Sequence, residues 1–293
     1  MGRDREPELV TAETMEKLGY ERPELWRNSR LQRALLDNRE QISAVVQPWI
    51  ERELGVPVEL TGVRAPFPWD EAAVGWSTVA EPVFSGTVYV RVGADGSVGS
   101  EDAILEQHVT GHELALFPAV AAMAYRPELE TIRAYLASTY PGLRGSLPAA
   151  TGTADGTGHG PVRVSHDTEA AAHADVEAGR QAVWKAFRKE PVRPDEDWRA
   201  LLERVGAGVP MDIGVTFTMV EPGLDVPEDL VRRIAEDLRG NPLFDRFTRW
   251  HVVVESNLHV RDSGHPHHVI SVQWVHATGR WVVHEERDGV RVR

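Results

Sequence analysis

The stretch from Trp250 to Arg293 restricts the fold more than any other part of the chain, because its apolar residues recur at every second position between marked turns. Successive side chains of a strand face opposite sides of a sheet, so residues of one parity share a face. From 250 to 260 the even set is Trp250, Val252, Val254, Ser256, Leu258 and Val260, against His251, Val253, Glu255, Asn257 and His259. From 268 to 276 the even set is again the apolar one: His268, Ile270, Val272, Trp274 and His276. Thr278-Gly279 and Asp288-Gly289 read as two-residue hairpin turns. The first pairs His276 with Trp281 and Trp274 with Val283. The second pairs Glu286 with Arg291 and Glu285 with Val292. Both keep one apolar face, which predicts an antiparallel meander.

The rest of the chain divides at Pro148–Pro161, a Gly-, Thr- and Ala-rich run without apolar periodicity that reads as a linker or mobile loop. Residues 1–147 are expected to form an N-terminal α+β domain and 162–293 a C-terminal α+β domain. In the first, Leu31–Leu54 carries Leu31, Leu35, Ile42, Val46, Trp49 and Ile50 at helical spacing, with Gly55 as its stop. Strands are expected at 56–64, 75–80 and 83–92. Ala94–Ser97 follows as a turn, then a helix capped by Ser100 that runs past His112. A further helix covers 127–138. In the second, helices are expected at 168–189 and 195–205, a strand at 212–220, and a helix capped by Asp225. The order α-α-β-α-β-β-β from 168 to the end resembles the cone-shaped α+β fold of the nuclear transport factor 2 superfamily, in topology alone. That resemblance implies a pocket between helices and a curved sheet, with the opposite sheet face free to form a homodimer.

Composition bears on chemistry by exclusion. No cysteine is present, so disulfides, thiolate metal sites and a cysteine nucleophile are out. A net charge of -13 argues against nucleic-acid and anionic-membrane partners. The charged start and the lack of an apolar run long enough for a membrane span predict a cytoplasmic protein, and 29 arginines against three lysines suggest a bacterial one. Walker A, GxSxG and GxGxxG motifs are absent.

What remains is 12 histidines, seven of them beyond residue 250, and the carboxylates around them. Glu285 falls among Val272, Val283 and Val292 in the expected register. Burial there would suit it to acid–base work, with His276 as a second catalytic group. Trp250, Trp274 and Trp281, with Ser256 and His268, are the expected ligand-binding set. On the polar face Gln273, His284 and Glu255 are expected in one row. His108 and His112 are four apart, the helical spacing by which two imidazoles hold a metal. The expected function is binding or transformation of a small organic molecule or short peptide by His/Glu acid–base chemistry, in the manner of a biosynthetic enzyme. The alternatives are a non-catalytic protein-interaction factor, such as a toxin-neutralising or assembly protein, or a metalloenzyme built on His108 and His112. No particular cofactor is indicated.

Overall fold

The computed structural model describes residues 8–11, 14, 29–65, 71–105, 112–145, 162–166, 173–205, 211–223, 225–245, 249–260, 266–275 and 279–292. They form an α+β fold. Near the N-terminus, strand β1 (Leu9–Thr11) precedes helices α1 (Ser29–Asp37) and α2 (Arg39–Leu54). The expected single helix is thus broken at Asn38, whose amide donates to Ala34 O and to Asp95 O. Gly55 ends α2 at φ 75, a left-handed conformation that glycine adopts without strain. Strands β2 (Val58–Arg64), β3 (Glu71–Thr78) and β4 (Ser85–Arg91) make an antiparallel sheet in that order. In the turn that follows, Gly96 has φ 78, and a Cβ there would lie 2.6 Å from the Ala34 backbone.

The helix expected from Ser100 is not continuous. Glu101–Ala103 forms one 3-10 turn, after which Ile104 is extended and bridges Val90. Helix α3 starts at His112 and runs to Ala124; α4 covers Arg126–Thr139. Strands β5 (Leu143–Gly145) and β6 (Val162–His166), helices α5 (His173–Lys189) and α6 (Asp195–Val205), strand β7 (Met211–Met219) and helix α7 (Glu228–Gly240) come next. The chain then forms β8 (Arg249–Glu255), β9 (Leu258–Val260), β10 (His268–Val275), β11 (Arg280–Arg287) and β12 (Val290–Arg291).

The larger sheet runs β12-β11-β10-β8-β7-β5, with β6 also on β7. It is antiparallel except for β7 and β8, which run parallel across the α7 crossover. Helix α7 buries Val231, Ile234, Ala235 and Leu238, a stripe at helical spacing, and lies on β8 and β10. Val252, Val254, Ile270, Val272 and Trp274 are the buried face beneath it, as the alternation implies. Each of these side chains contributes about 1.5–3 kcal/mol on burial. Helix α3 packs on α5 and α6, and buried apolar residues from both sides of 148–161 form one contiguous cluster. Residues 148–161 themselves lie outside the described set.

Three expectations about the last sheet are corrected. First, the hairpin joining β10 and β11 pairs Val275 with Arg280 and Trp274 with Trp281, so four residues connect them rather than two. The register moves by two positions, which leaves every side chain on its expected face and is invisible to the alternation. Gln273 therefore opposes Val282, His284 opposes Ser271, and Glu255 sits in a third row opposite Val269. The expected Gln273–His284–Glu255 cluster does not form. Second, Glu255, Asn257 and His259 are buried rather than on an open polar face. Strand β8 ends at Glu255, and β9 leaves the sheet to pair with β1, which reverses the burial pattern so that His259 is inside and Leu258 half-exposed. Third, Val290 and Val292 are 66% and 59% exposed, because β12 is the two-residue edge of the sheet. The Asp288-Gly289 turn itself pairs Glu286 with Arg291, as expected.

Candidate functional site

Alternate residues Trp281, Val283, Glu285 and Arg287 of β11 share the sheet face on which α7 lies. Helix α7 covers β8 and β10, and these four side chains stay half-buried beyond it. They form a strip with an aromatic ring at one end and charged groups at the other. From Trp281 to Arg287 the strand advances six residues, about 20 Å.

The charged end is the best-defined polar cluster of the sheet. On β10 Glu285 opposes Ile270, not the Val272 expected from the sequence, and its side chain is 20% exposed. Its Oε1 lies 3.2 Å from Nε2 of His268 and 3.4 Å from Nε of Arg287. Arg287 also donates to Asp225 Oδ1 at 2.7 Å. Asp225 therefore does not cap α7, whose N-cap position is Pro227. The Arg287 guanidinium holds the Asp225 carboxyl below its usual range, and Asp225 in turn raises Arg287. Next to them, His267 Nδ1 lies 2.7 Å from Asp288 Oδ1.

His268 is 2% exposed and its protonation follows from its partners. The backbone N–H of Val226 donates to Nδ1 at 2.9 Å. Nδ1 must then be unprotonated, so Nε2 carries the hydrogen and donates it to Glu285. Asp225 Oδ1, at 3.6 Å from Nδ1, is too far to displace Val226. Burial, then the nearby Arg287 charge, lowers the imidazole pKa, and the two carboxylates only partly oppose this. Ser256 fixes the start of β10. Its Oγ accepts from the His268 N–H at 3.1 Å and donates to Leu258 O at 2.9 Å, while its own N–H donates to His268 O. Ser256 and His268 thus sit behind Glu285, inside the protein.

The tryptophans form a separate row. Trp250, Trp274 and Trp281 oppose one another across β8, β10 and β11. The rings of Trp274 and Trp281 lie 4.9 Å apart at 60°, and Arg239 of α7 stacks 4.1 Å over Trp274. Such contacts add about 0.5–1.5 kcal/mol beyond area burial. Glu285 is four residues from Trp281, about 13 Å along the strand. His276 and His108 lie outside the described residues, as do the side chains of Trp250 and His112. Among the described residues no group of three or more His, Cys, Asp or Glu could hold a metal ion, and no helix is long and apolar enough to cross a membrane.

Of the expected site residues, Ser256, His268 and Glu285 come together, and Trp274 meets Trp281 at a distance from them. Arg287 and Asp225 were missed. Arg287 was within reach of the alternation, since it shares the parity of Glu285; the loop residue Asp225 carries no such signal. A second polar contact was also unmarked: the Tyr135 and Tyr140 hydroxyls of α4 and its C-terminal cap both donate to Asp237 Oδ2 of α7.

The solved structure of a DUF1672 family protein from Staphylococcus aureus has the same fold. The two superpose with a TM-score of 0.60 at 11% identity, covering 97% of this chain and 98% of that one. At that identity the likeness is one of fold. No protein-family model matches the chain, and no curated protein matches its sequence.

Proposed function

We propose that the chain binds a small organic molecule or short peptide along the inner face of β11. The observation that carries this reading is the strip Trp281–Val283–Glu285–Arg287, half-exposed beyond the edge of α7 with its carboxylate held in place by His268. An apolar wall with a few fixed polar groups is the usual composition of a ligand site. Glu285 accepts from a ligand donor, the exposed part of Arg287 meets an anionic or carbonyl group, and Trp281 and Val283 take apolar parts. The helix–sheet order similar to the nuclear transport factor 2 superfamily supports a ligand site between α7 and the sheet, as topology only.

Acid–base chemistry is the second reading, favoured by the hydrogen bond that fixes one oxygen of Glu285. In it Glu285 is the proton-transfer group and His268 its positioning residue, both ring nitrogens being engaged. His276 is retained as the second catalytic candidate. The test of binding is a set of amines, amides, carboxylic acids and blocked tripeptides followed by amide chemical shifts. Shifts that cluster at Trp281–Arg287 and vanish in Glu285→Gln support the site; shifts elsewhere, or unaffected by that variant, reject it. For the second reading, turnover of any hit that survives both Glu285→Gln and His276→Ala ends the assignment.

A further inference from the structure

The backbone of β11 carries a feature the side-chain strip does not need. Within a strand, alternate residues direct both their N–H and C=O to the same side. Val292 N–H donates to Glu285 O at 2.8 Å, so Glu285 faces the outer edge of the sheet. Val283 and Trp281 must then direct their N–H and C=O to that edge as well. Strand β12 pairs only with Glu286 and Arg287. Among the described residues no strand pairs with Arg280–His284 on that side. A row of unpaired backbone groups on a sheet edge is a template for another strand.

The flanking charges indicate what fits. Residues 280–293 hold four arginines against three carboxylates, in a chain whose net charge is -13. On the outer face of β11 the sequence is Arg280, Val282, His284, with Arg280 exposed, Val282 exposed at 37%, and Arg291 placed 2.6 Å from His284 Nδ1. On the inner face the same stretch shows Trp281 and Val283. An added strand alternates in step: its outer side chains meet Arg280, Val282 and the His284–Arg291 pair, and its inner ones meet Trp281 and Val283.

We propose that the Arg280–His284 edge accepts an extended segment of a partner protein as an additional strand, one that alternates acidic and apolar residues. This names a partner class for the β11 ligand reading and rests on it, while using the strand's edge rather than its inner carboxylate. A second copy paired antiparallel through the same edge would set Arg280 against the His284–Arg291 pair, like charge against like, which disfavours it as occupant.

The test uses two blocked ten-residue peptides, one alternating Glu and Val and one alternating Lys and Val, titrated into the full chain. Binding is read by tryptophan fluorescence and by hydrogen exchange of the Trp281 and Val283 amides. The Glu–Val peptide should bind, protect both amides and weaken with added salt. Val283→Pro removes an outward N–H without touching the β10 ladder and should weaken it about tenfold. Arg280→Glu should weaken it about fivefold and favour the Lys–Val peptide instead. Arg280→Glu carries the test alone if the proline variant fails to fold. Equal binding of both peptides, no binding of the Glu–Val peptide, or wild-type affinity in these variants overturns the proposal, as does a dimer of the chain abolished by Val283→Pro. Fragment shifts that persist in Glu285→Gln beside an intact, Arg280-dependent response to the Glu–Val peptide mean that the side-chain reading has failed and the edge has not; fragment shifts lost in Glu285→Gln beside no response to that peptide mean the reverse.

Discussion

His268 offers the sharpest test, because two opposite forces act on one imidazole. Asp225 and Glu285 favour its protonated form, whereas burial and Arg287 oppose it. The structure favours the neutral ring, since protonating Nδ1 breaks the bond from Val226 N–H, itself on a residue only 3% exposed. Consider His268→Gln, whose amide can still reach Glu285 but offers nothing to Val226. Orphaning that buried N–H costs about 1–3 kcal/mol above neutral pH. The pH dependence then has a fixed sign. A histidine whose folded pKa is depressed contributes stability that is fully present above its unfolded value, near 6.5, and is lost as pH falls toward the folded value. In that window the wild type loses up to about 1.4 kcal/mol per pH unit from this group, and the variant does not. The gap between the two, measured by urea denaturation from pH 8 to pH 5, should narrow on acidification. A constant gap, or one that widens at low pH, would refute the reasoning, because widening means the two carboxylates prevail and the folded ring is charged. Ring ¹⁵N shifts provide the direct check, with Nδ1 expected as the unprotonated nitrogen.

Further expectations follow from packing and from the other polar cluster. A Cβ on Gly86 would lie 2.5 Å from the Trp76 ring, which is fully buried against Phe84, so Gly86→Ala should destabilise the small sheet by about 1–3 kcal/mol, read as a drop in Tm. Burial and Asp237 raise the Tyr140 hydroxyl, and Asp237 raises that of Tyr135. Ultraviolet titration should therefore show two phenols ionising above the usual range, and Asp237→Asn should bring both down. Arg239→Ala removes the guanidinium over Trp274 and should cost about 0.5–1 kcal/mol while changing tryptophan emission; unchanged emission would place Arg239 elsewhere in solution.

The alternation of Val252, Val254, Ile270, Val272 and Trp274 was enough to identify the buried face of the large sheet, because strand side chains have a period of two and one face must pack on α7. The same period cannot detect a shift of two residues. That is why the β10–β11 hairpin loop was read as too short, and why Trp274 meets Trp281 instead of Val283. Burial of Glu255, Asn257 and His259 was illegible for another reason: each has neighbours distant in sequence, Glu255 lying between Thr218 and Val269, Asn257 donating to Val220 O and His259 pairing with Val10 of β1.

Local sequence thus determined the strands β2 to β4, the helix α7, the buried parity of β8 and β10 and the Asp288-Gly289 turn, since each depends on residues close together in the chain. Tertiary structure alone decided that Glu285 lies across from Ile270 and meets His268, in place of Val272. It also set the tautomer of that histidine and left the Trp281–Val283 edge unpaired among the described strands. These outcomes depend on which strand ends where and on which distant backbone N–H reaches a ring nitrogen. They are properties of register and long-range contact, on which residue pattern is silent.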